Sequence, residues 1–142
     1  MKLKKAEELN NLATHDYAQL ATFRSALREF LHFSEKAAAA QGLTSQHYQA
    51  MLILRGSAEI APVTINDMAR QLIIKHNSAV GLIDRLALGG LVARERCLSD
   101  RRKVELRLTA HGRTVLARLA GTHRRELKRI APLMERIFES LA

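Results

Sequence analysis

The segment LSDRRKVELRLTAHG, from Leu98 to Gly112, gathers Arg101, Arg102, Lys103, Arg107 and His111 around one short alternating run. Cationic side chains crowded onto a turn and a strand suit the pairing of guanidinium and ammonium groups with phosphate oxygens. The plain alternative is a solvated turn with a local Asp100–Arg ion pair, worth at most about 1 kcal/mol. A second stretch, Lys75-His76-Asn77-Ser78, supplies the other half of such chemistry. Asn77 can bond bidentately to adenine, His76 and Ser78 can donate or accept, and Lys75 with the later Arg85 can meet phosphate.

Other chemistries find less material. The histidines at 15, 32, 47, 76, 111 and 123 show no His-x-x-x-His or Cys/His spacing, so no metal site is expected. There is no G-x-S-x-G, no glycine-rich phosphate loop and no pair of carboxylates at useful spacing; Glu7 and Glu8 read as helix surface. Neither an enzyme nor a cofactor is expected. The single cysteine, Cys97, cannot close an internal disulfide. Arg94, Arg96 and Arg101 near it would favour a thiolate, which leaves a redox-responsive role beside the plainer one of a small strand residue.

The charge is localised. The chain of 142 residues carries 23 Lys plus Arg against 14 Asp plus Glu, a net of +9. Twelve basic and four acidic residues lie between Arg94 and Arg129, which holds nearly all of the excess. A concentrated basic block is the footprint of a polyanion-binding protein. No apolar run approaches the roughly 18 residues needed to span a bilayer, and the lysines near the start have no apolar stretch after them. The expectation is a cytoplasmic protein without a membrane partner.

The elements that must position these side chains follow from periodicity. Leu20, Phe23, Leu27, Phe30, Leu31 and Ser34 recur at spacings that predict a long amphipathic helix over 18–40, closed by Gly42. Thr44 caps a second helix that carries Tyr48, Met51, Leu52 and Leu54 and ends near Gly56. Pro62 and Val63 read as a short extended piece. Thr64 with Asp67 opens a short helix through Leu72, and a turn at 73–75 leads to another with Ala79, Leu82, Ile83 and Leu86 inward. That pair is a helix-turn-helix. Two alternating runs follow Gly89-Gly90: Leu91 and Ala93 to one face, then Val104, Leu106 and Leu108, with charged residues opposite. A hairpin directly after a helix-turn-helix is a winged helix, with LSDRR at the wing tip. Thr109 caps a final helical region, which Pro132 is expected to divide near Arg129.

The fold class is therefore mainly α with a small β-hairpin wing. A single domain over 1–142 is expected, with a winged-helix DNA-binding lobe at about 43–109 flanked by dimerisation helices at about 1–40 and 110–142. The flanking helices have apolar faces with little chain left to cover them, so a second copy in a homodimer is the economical partner.

The runs LTSQHYQAMLIL, INDMARQLIIKHNSAVGLIDRLALGGLV and DRRKVELRLTAHG resemble the MarR family of bacterial transcriptional regulators. The most specific parts are D-x-R at Asp100–Arg102, L-T-x-x-G at Leu108–Gly112, and D-R-L with G-L-V between Asp84 and Val92. The resemblance implies a homodimeric repressor of a pseudo-palindromic double-stranded DNA operator, released by a small, often aromatic or phenolic effector. It assigns Arg102 to the minor groove and Asp100 to holding the wing, with Arg101 and Lys103 near phosphate. His15, Phe23, Leu27 and His47 are candidates to line an effector pocket. Two departures stand out: Gly81 replaces a long polar residue of many relatives, and Lys75 stands where a Ser or Thr cap is usual. A sequence-indifferent architectural protein would use the same charge but show mainly Lys and Arg on the recognition face.

Overall fold

The computed structural model describes residues 2–3 and 11–141, so Glu7 and Glu8 lie outside the described residues. The elements run α1 (Thr14–Ala39), α2 (Ser45–Ser57), α3 (Ile65–Leu72), α4 (His76–Leu88), β1 (Val92–Arg96), β2 (Val104–Leu108) and α5 (Ala110–Leu141). This is the expected helical fold with one antiparallel hairpin, in which Val92 faces Leu108 and Arg96 faces Val104. The chain divides into two compact units, Glu35–Thr122 and the flanking residues up to Ser34 and from His123 onward. Among the described residues no helix is long and apolar enough to cross a membrane.

Local signals set the boundaries in the central unit. At the end of α1, Leu43 N–H reaches Ala38 O and Gly42 N–H reaches Ala39 O, with Gly42 at φ 72°. The same pair of bonds closes α4, from Leu91 to Leu86 and from Gly90 to Ala87, with Gly90 at φ 71°. Both are Schellman closures, which favour glycine because the left-handed residue then has no Cβ to strain. The turn of the helix-turn-helix is a third: Ile74 N–H donates to Ala69 O and Ile73 N–H to Arg70 O. Here the left-handed position, φ 55° and ψ 49°, holds Ile73, a residue 91% exposed. A β-branched residue pays for that conformation and recovers nothing by burial. Ile73→Gly is expected to raise stability by on the order of 1 kcal/mol, read as a higher denaturation midpoint in urea at unchanged slope.

Two helix starts carry reciprocal caps. Thr64 N–H donates to Asp67 Oδ2 at 3.0 Å while Asp67 N–H donates to Thr64 Oγ1 at 3.2 Å. The bond from the Thr64 backbone, with others from its hydroxyl and Arg70, holds the Asp67 carboxyl below its ordinary value. In α2 the same device uses histidine: Thr44 N–H donates to His47 Nδ1 and His47 N–H to Thr44 Oγ1, both at 3.1 Å. His47 is buried, and its Nε2 has no hydrogen-bond partner among the described residues. Burial first, and the Arg85 charge second, push its pKa below the ordinary 6.5.

Charging this ring would place a proton on Nδ1, the atom that accepts from Thr44. The unfolded chain binds that proton more readily than the folded one, so stability falls as pH drops through 6.5 toward the depressed native value and levels off beneath it. His47→Gln keeps the acceptor of the capping box without a titrating group. Chemical denaturation from about pH 8 to about pH 5 should show the acid loss in the parent and a smaller one in this variant.

The core of the central unit is built from Tyr48, Met51, Leu54, Val63, Met68, Leu82, Ile83, Leu86, Leu91, Val92, Leu106, Leu116 and Leu119. Val63 is bridged to Leu106, whose N–H donates to Val63 O at 2.8 Å, so the extended piece before α3 becomes a short third edge on the hairpin. Leu52, expected inward, is partly exposed, and buried Ala50 lies on the inner face. The hairpin register corrects the expected strand faces. Val92 and Arg94 pair with Leu108 and Leu106 and share their face, whereas Ala93 pairs with Arg107 on the other side. Leu91 is buried too, but it precedes the strand.

The terminal unit contains most of α1 and the second half of α5. Phe23 and Phe138 stand 6.0 Å apart by ring centroid, and Ile137 is buried. Buried His123 meets Phe30 and Phe33 edge-on, and its Nε2 lies 2.8 Å from Ser34 Oγ. Leu20 and Leu31, expected on the inward stripe of α1, are exposed in the single chain. The expected division at Pro132 does not occur: α5 is one helix with the proline inside it. Pro132 removes one backbone donor, but it sits on an exposed side of the helix, where the freed carbonyl one turn earlier can face water.

Candidate nucleic-acid interface

The recognition helix of the expected helix-turn-helix is α4. Its inner face, Ala79, Leu82, Ile83 and Leu86, is buried, which turns Lys75, His76, Asn77, Ser78 and Arg85 outward, all exposed. Lys75 is the N-cap residue and makes no side-chain capping bond, so the first amide groups of α4 remain open to solvent. A helix start with open amides and the positive end of its dipole is suited to phosphate. A Cβ added at Gly81 would lie 3.6 Å from Arg85 Nη2, so the guanidinium folds back along the helix over the position that lacks a side chain.

His76 Nδ1 lies 2.9 Å from Asn66 Oδ1, on the preceding helix. Sequence reading missed Asn66. No spacing rule links positions ten apart across a turn, and only the crossing of α3 and α4 brings them together. It also missed the link between α4 and the wing: Arg94 of β1 forms an ion pair with Asp84 of α4. The pair accounts for the inward-paired arginine, whose guanidinium reaches a carboxylate on the recognition helix rather than entering the core.

The wing loop runs from Cys97 to Lys103. Cys97 N–H donates to Lys103 O, and Lys103 N–H donates to Asp100 O, both at 3.0 Å. Asp100 Oδ1 accepts from Arg102 N–H at 3.1 Å. Asp100 thus acts on the backbone of the turn, as short acidic side chains do, leaving the Arg102 guanidinium unengaged. Among the described residues Arg101, Arg102 and Lys103 make no side-chain ion pair, and all three are exposed. On the other face of the hairpin, Arg107 pairs with Glu95 at 3.0 Å and with Glu105 at 4.0 Å. The cations are therefore sorted: Arg94 is paired with Asp84 of α4 and Arg107 with glutamates of the hairpin, and those of the tip are open. Cys97 Sγ lies 3.0 Å from Ser99 Oγ, so a hydroxyl, not a guanidinium, is its recorded partner.

The base of the wing is anchored by the L-T-x-x-G segment. Thr109 N–H donates to Leu91 O at 3.0 Å, and its hydroxyl donates to Gly90 O at 2.5 Å. The same Oγ1 accepts from Gly112 N–H at 3.0 Å, which caps α5. One threonine thus fastens the end of β2 and the start of α5 to the chain leaving α4.

Of the residues named for an effector pocket, His15, Phe23 and Leu27 belong to the terminal unit and His47 to the central one. The central unit has a cavity of about 300 Å³ lined by Leu54, Ile60, Pro62, Val63, Leu106, Leu108, Arg107 and Arg113, among others. None of those four residues lines it. Among the described residues no three His, Cys, Asp or Glu side chains gather where they could hold a metal ion.

Comparison with known proteins gives a consistent picture. The model of the MarR family matches residues 41–103, which span α2 to the wing tip. The crystal structure of AbsC, a MarR family transcriptional regulator from Streptomyces coelicolor, is 26% identical with a TM-score of 0.70, covering 93% of this chain and 84% of that one. The transcriptional regulator PA4135 is 25% identical with a TM-score of 0.70, covering 86% and 88%. A mutant of S. aureus MepR bound to an oligodeoxyribonucleotide shares the fold at 17% identity and a TM-score of 0.68, covering 92% of this chain and all of that one. No curated protein sequence matches the chain.

Proposed function

We propose that the chain, whose residues 41–103 match the model of the MarR family and which shares its fold with AbsC at 26% identity, is a homodimeric repressor of that winged helix-turn-helix family. It binds a pseudo-palindromic operator and is released by a small aromatic or phenolic effector. Asn77 and Ser78, with His76, read base edges in the major groove, Lys75 and Arg85 meet the backbone, and Arg102 enters the minor groove. The observation that carries this reading is the sorting of charge in one compact unit. Arg94 and Arg107 are each paired with a carboxylate, while Arg96 at the end of β1, Arg101, Arg102 and Lys103 of the tip, and the start of α4 are presented bare. A narrow minor groove concentrates negative potential that favours arginine. The MepR structure with an oligodeoxyribonucleotide is support from a protein of the same fold.

The dimer is supported by what the single chain leaves uncovered. Tyr17, Leu20, Leu31, Leu127, Phe138 and Leu141 of the terminal unit are all exposed. Apolar side chains repeated along two helices of one unit suit burial against an identical surface about a two-fold axis. The recognition face offers amide, imidazole and hydroxyl groups rather than only Lys and Arg, which favours base reading over indifferent packaging. Sedimentation should give a particle of twice 15.9 kDa, and titration with duplex DNA should give an affinity that falls steeply with salt, as counterion release requires. A monomer, or a protein that ignores duplex at low ionic strength, would overturn the proposal.

A further inference from the structure

We propose that Asn66 is a positioning residue for base readout: it fixes the His76 imidazole so that Nε2 faces outward as a hydrogen-bond acceptor. The inference rests on the functional reading above and deepens it by naming what His76 recognises. His76 is the first residue of α4 and exposed, and its Nδ1 is 2.9 Å from the Asn66 amide oxygen. An amide oxygen only accepts, so the proton between them belongs to Nδ1. In a neutral imidazole the other nitrogen then carries a lone pair.

This is the less usual tautomer of a free histidine and calls for a partner that holds it. Asn66 is itself held, because it is the second residue of α3, whose first turn is locked by the Thr64–Asp67 box. The bond adds little to the fold, since both residues are exposed. Nor does it cap α4, whose N-cap is Lys75. What it changes is the polarity of the group that His76 offers to a ligand.

An outward acceptor at the start of a recognition helix selects bases with an exocyclic amino group in the major groove. Adenine N6 and cytosine N4 donate there, whereas guanine shows N7 and O6, both acceptors, which would meet the imidazole lone pair to lone pair. The site therefore takes an A or a C and disfavours a G at the base that His76 reaches. With one hydrogen bond at stake, the preference should be about three- to tenfold.

The test pairs a spectrum with binding. Nitrogen-15 long-range correlation spectra of the full chain, recorded well above the ordinary histidine pKa, should show His76 protonated at Nδ1. In Asn66→Ala the proton should move to Nε2. On duplexes varied one base at a time through the preferred half-site, the parent should favour A or C over G at one position. Asn66→Ala and His76→Ala should each abolish that preference, and the double variant should lose no more than His76→Ala alone. Thermal unfolding of the variants close to the parent would show that the fold is kept. A parent His76 protonated at Nε2, or a preference that survives Asn66→Ala, would overturn the role of Asn66. A parent without any duplex binding or sequence preference would defeat the functional reading itself, whatever the spectrum.

Discussion

A Gly112→Ala variant is expected to lose about 3 kcal/mol of stability and to melt on the order of 10 °C below the parent. Gly112 sits in the first turn of α5, where that helix meets the chain leaving α4. A Cβ there would overlap the carbonyl oxygen of Leu91, stand 3.0 Å from its carbonyl carbon and lie 3.2 Å from Leu108 Cδ2. The obstacle is backbone, and that backbone is already committed: Leu91 O accepts from Thr109, whose hydroxyl holds Gly90 O. The strain cannot be relieved by turning a side chain, so α5 must shift away from the wing base or the cap must open. Gly56 is the control. It lies in α2 with nothing within 4 Å of an added Cβ, and Gly56→Ala should be neutral or slightly stabilising. Differential scanning calorimetry on the three proteins checks both. Equal melting temperatures for Gly112→Ala and the parent would show that the contact is not as close as the structure has it.

Arg102→Ala should weaken binding to a preferred duplex by roughly ten- to a hundredfold, about 1–3 kcal/mol, without moving the melting temperature. Its guanidinium makes no ion pair among the described residues, so truncation removes nothing from the fold. The conformation of the tip rests on backbone bonds, from Arg102 N–H to Asp100 Oδ1 and from Lys103 N–H to Asp100 O, and alanine keeps them. The slope of log affinity against log salt should also become shallower by about one ion. Fluorescence anisotropy at several salt concentrations measures both effects. Unchanged affinity at moderate salt would remove the wing from the interface.

The elements that local chemistry controls were legible in the chain. Thr44, Thr64 and Thr109 each cap the helix they precede, and Gly42 and Gly90 close α1 and α4 in the left-handed conformation. Each signal needs only neighbours within a few residues. The inner faces of α3 and α4 followed from a period that a helix enforces.

What was not legible depends on partners far along the chain. Strand faces hinge on the register of the hairpin, which the wing loop sets; a one-residue shift placed Ala93 where Val92 and Arg94 belong. The inward-paired Arg94 is tolerated because Asp84 meets it. Pro132 reads as a break, yet α5 continues through it with the proline on an exposed side of the helix. Ile73 carries no sign of its left-handed backbone, since the bonds that impose it come from the α3 end. Asn66 was overlooked for the same reason: its bond to His76 exists only once α3 and α4 cross.

The central claim is that this chain discriminates among DNA sequences as a symmetric pair. Selection of bound duplexes from a fully randomised pool, followed by sequencing, tests it most directly. The account predicts enrichment of an inverted repeat whose half-sites lie about one helical turn apart, 10–10.5 base pairs, bound far more tightly than the starting pool. A bound fraction as varied as the starting pool would contradict it and leave only attraction to charge.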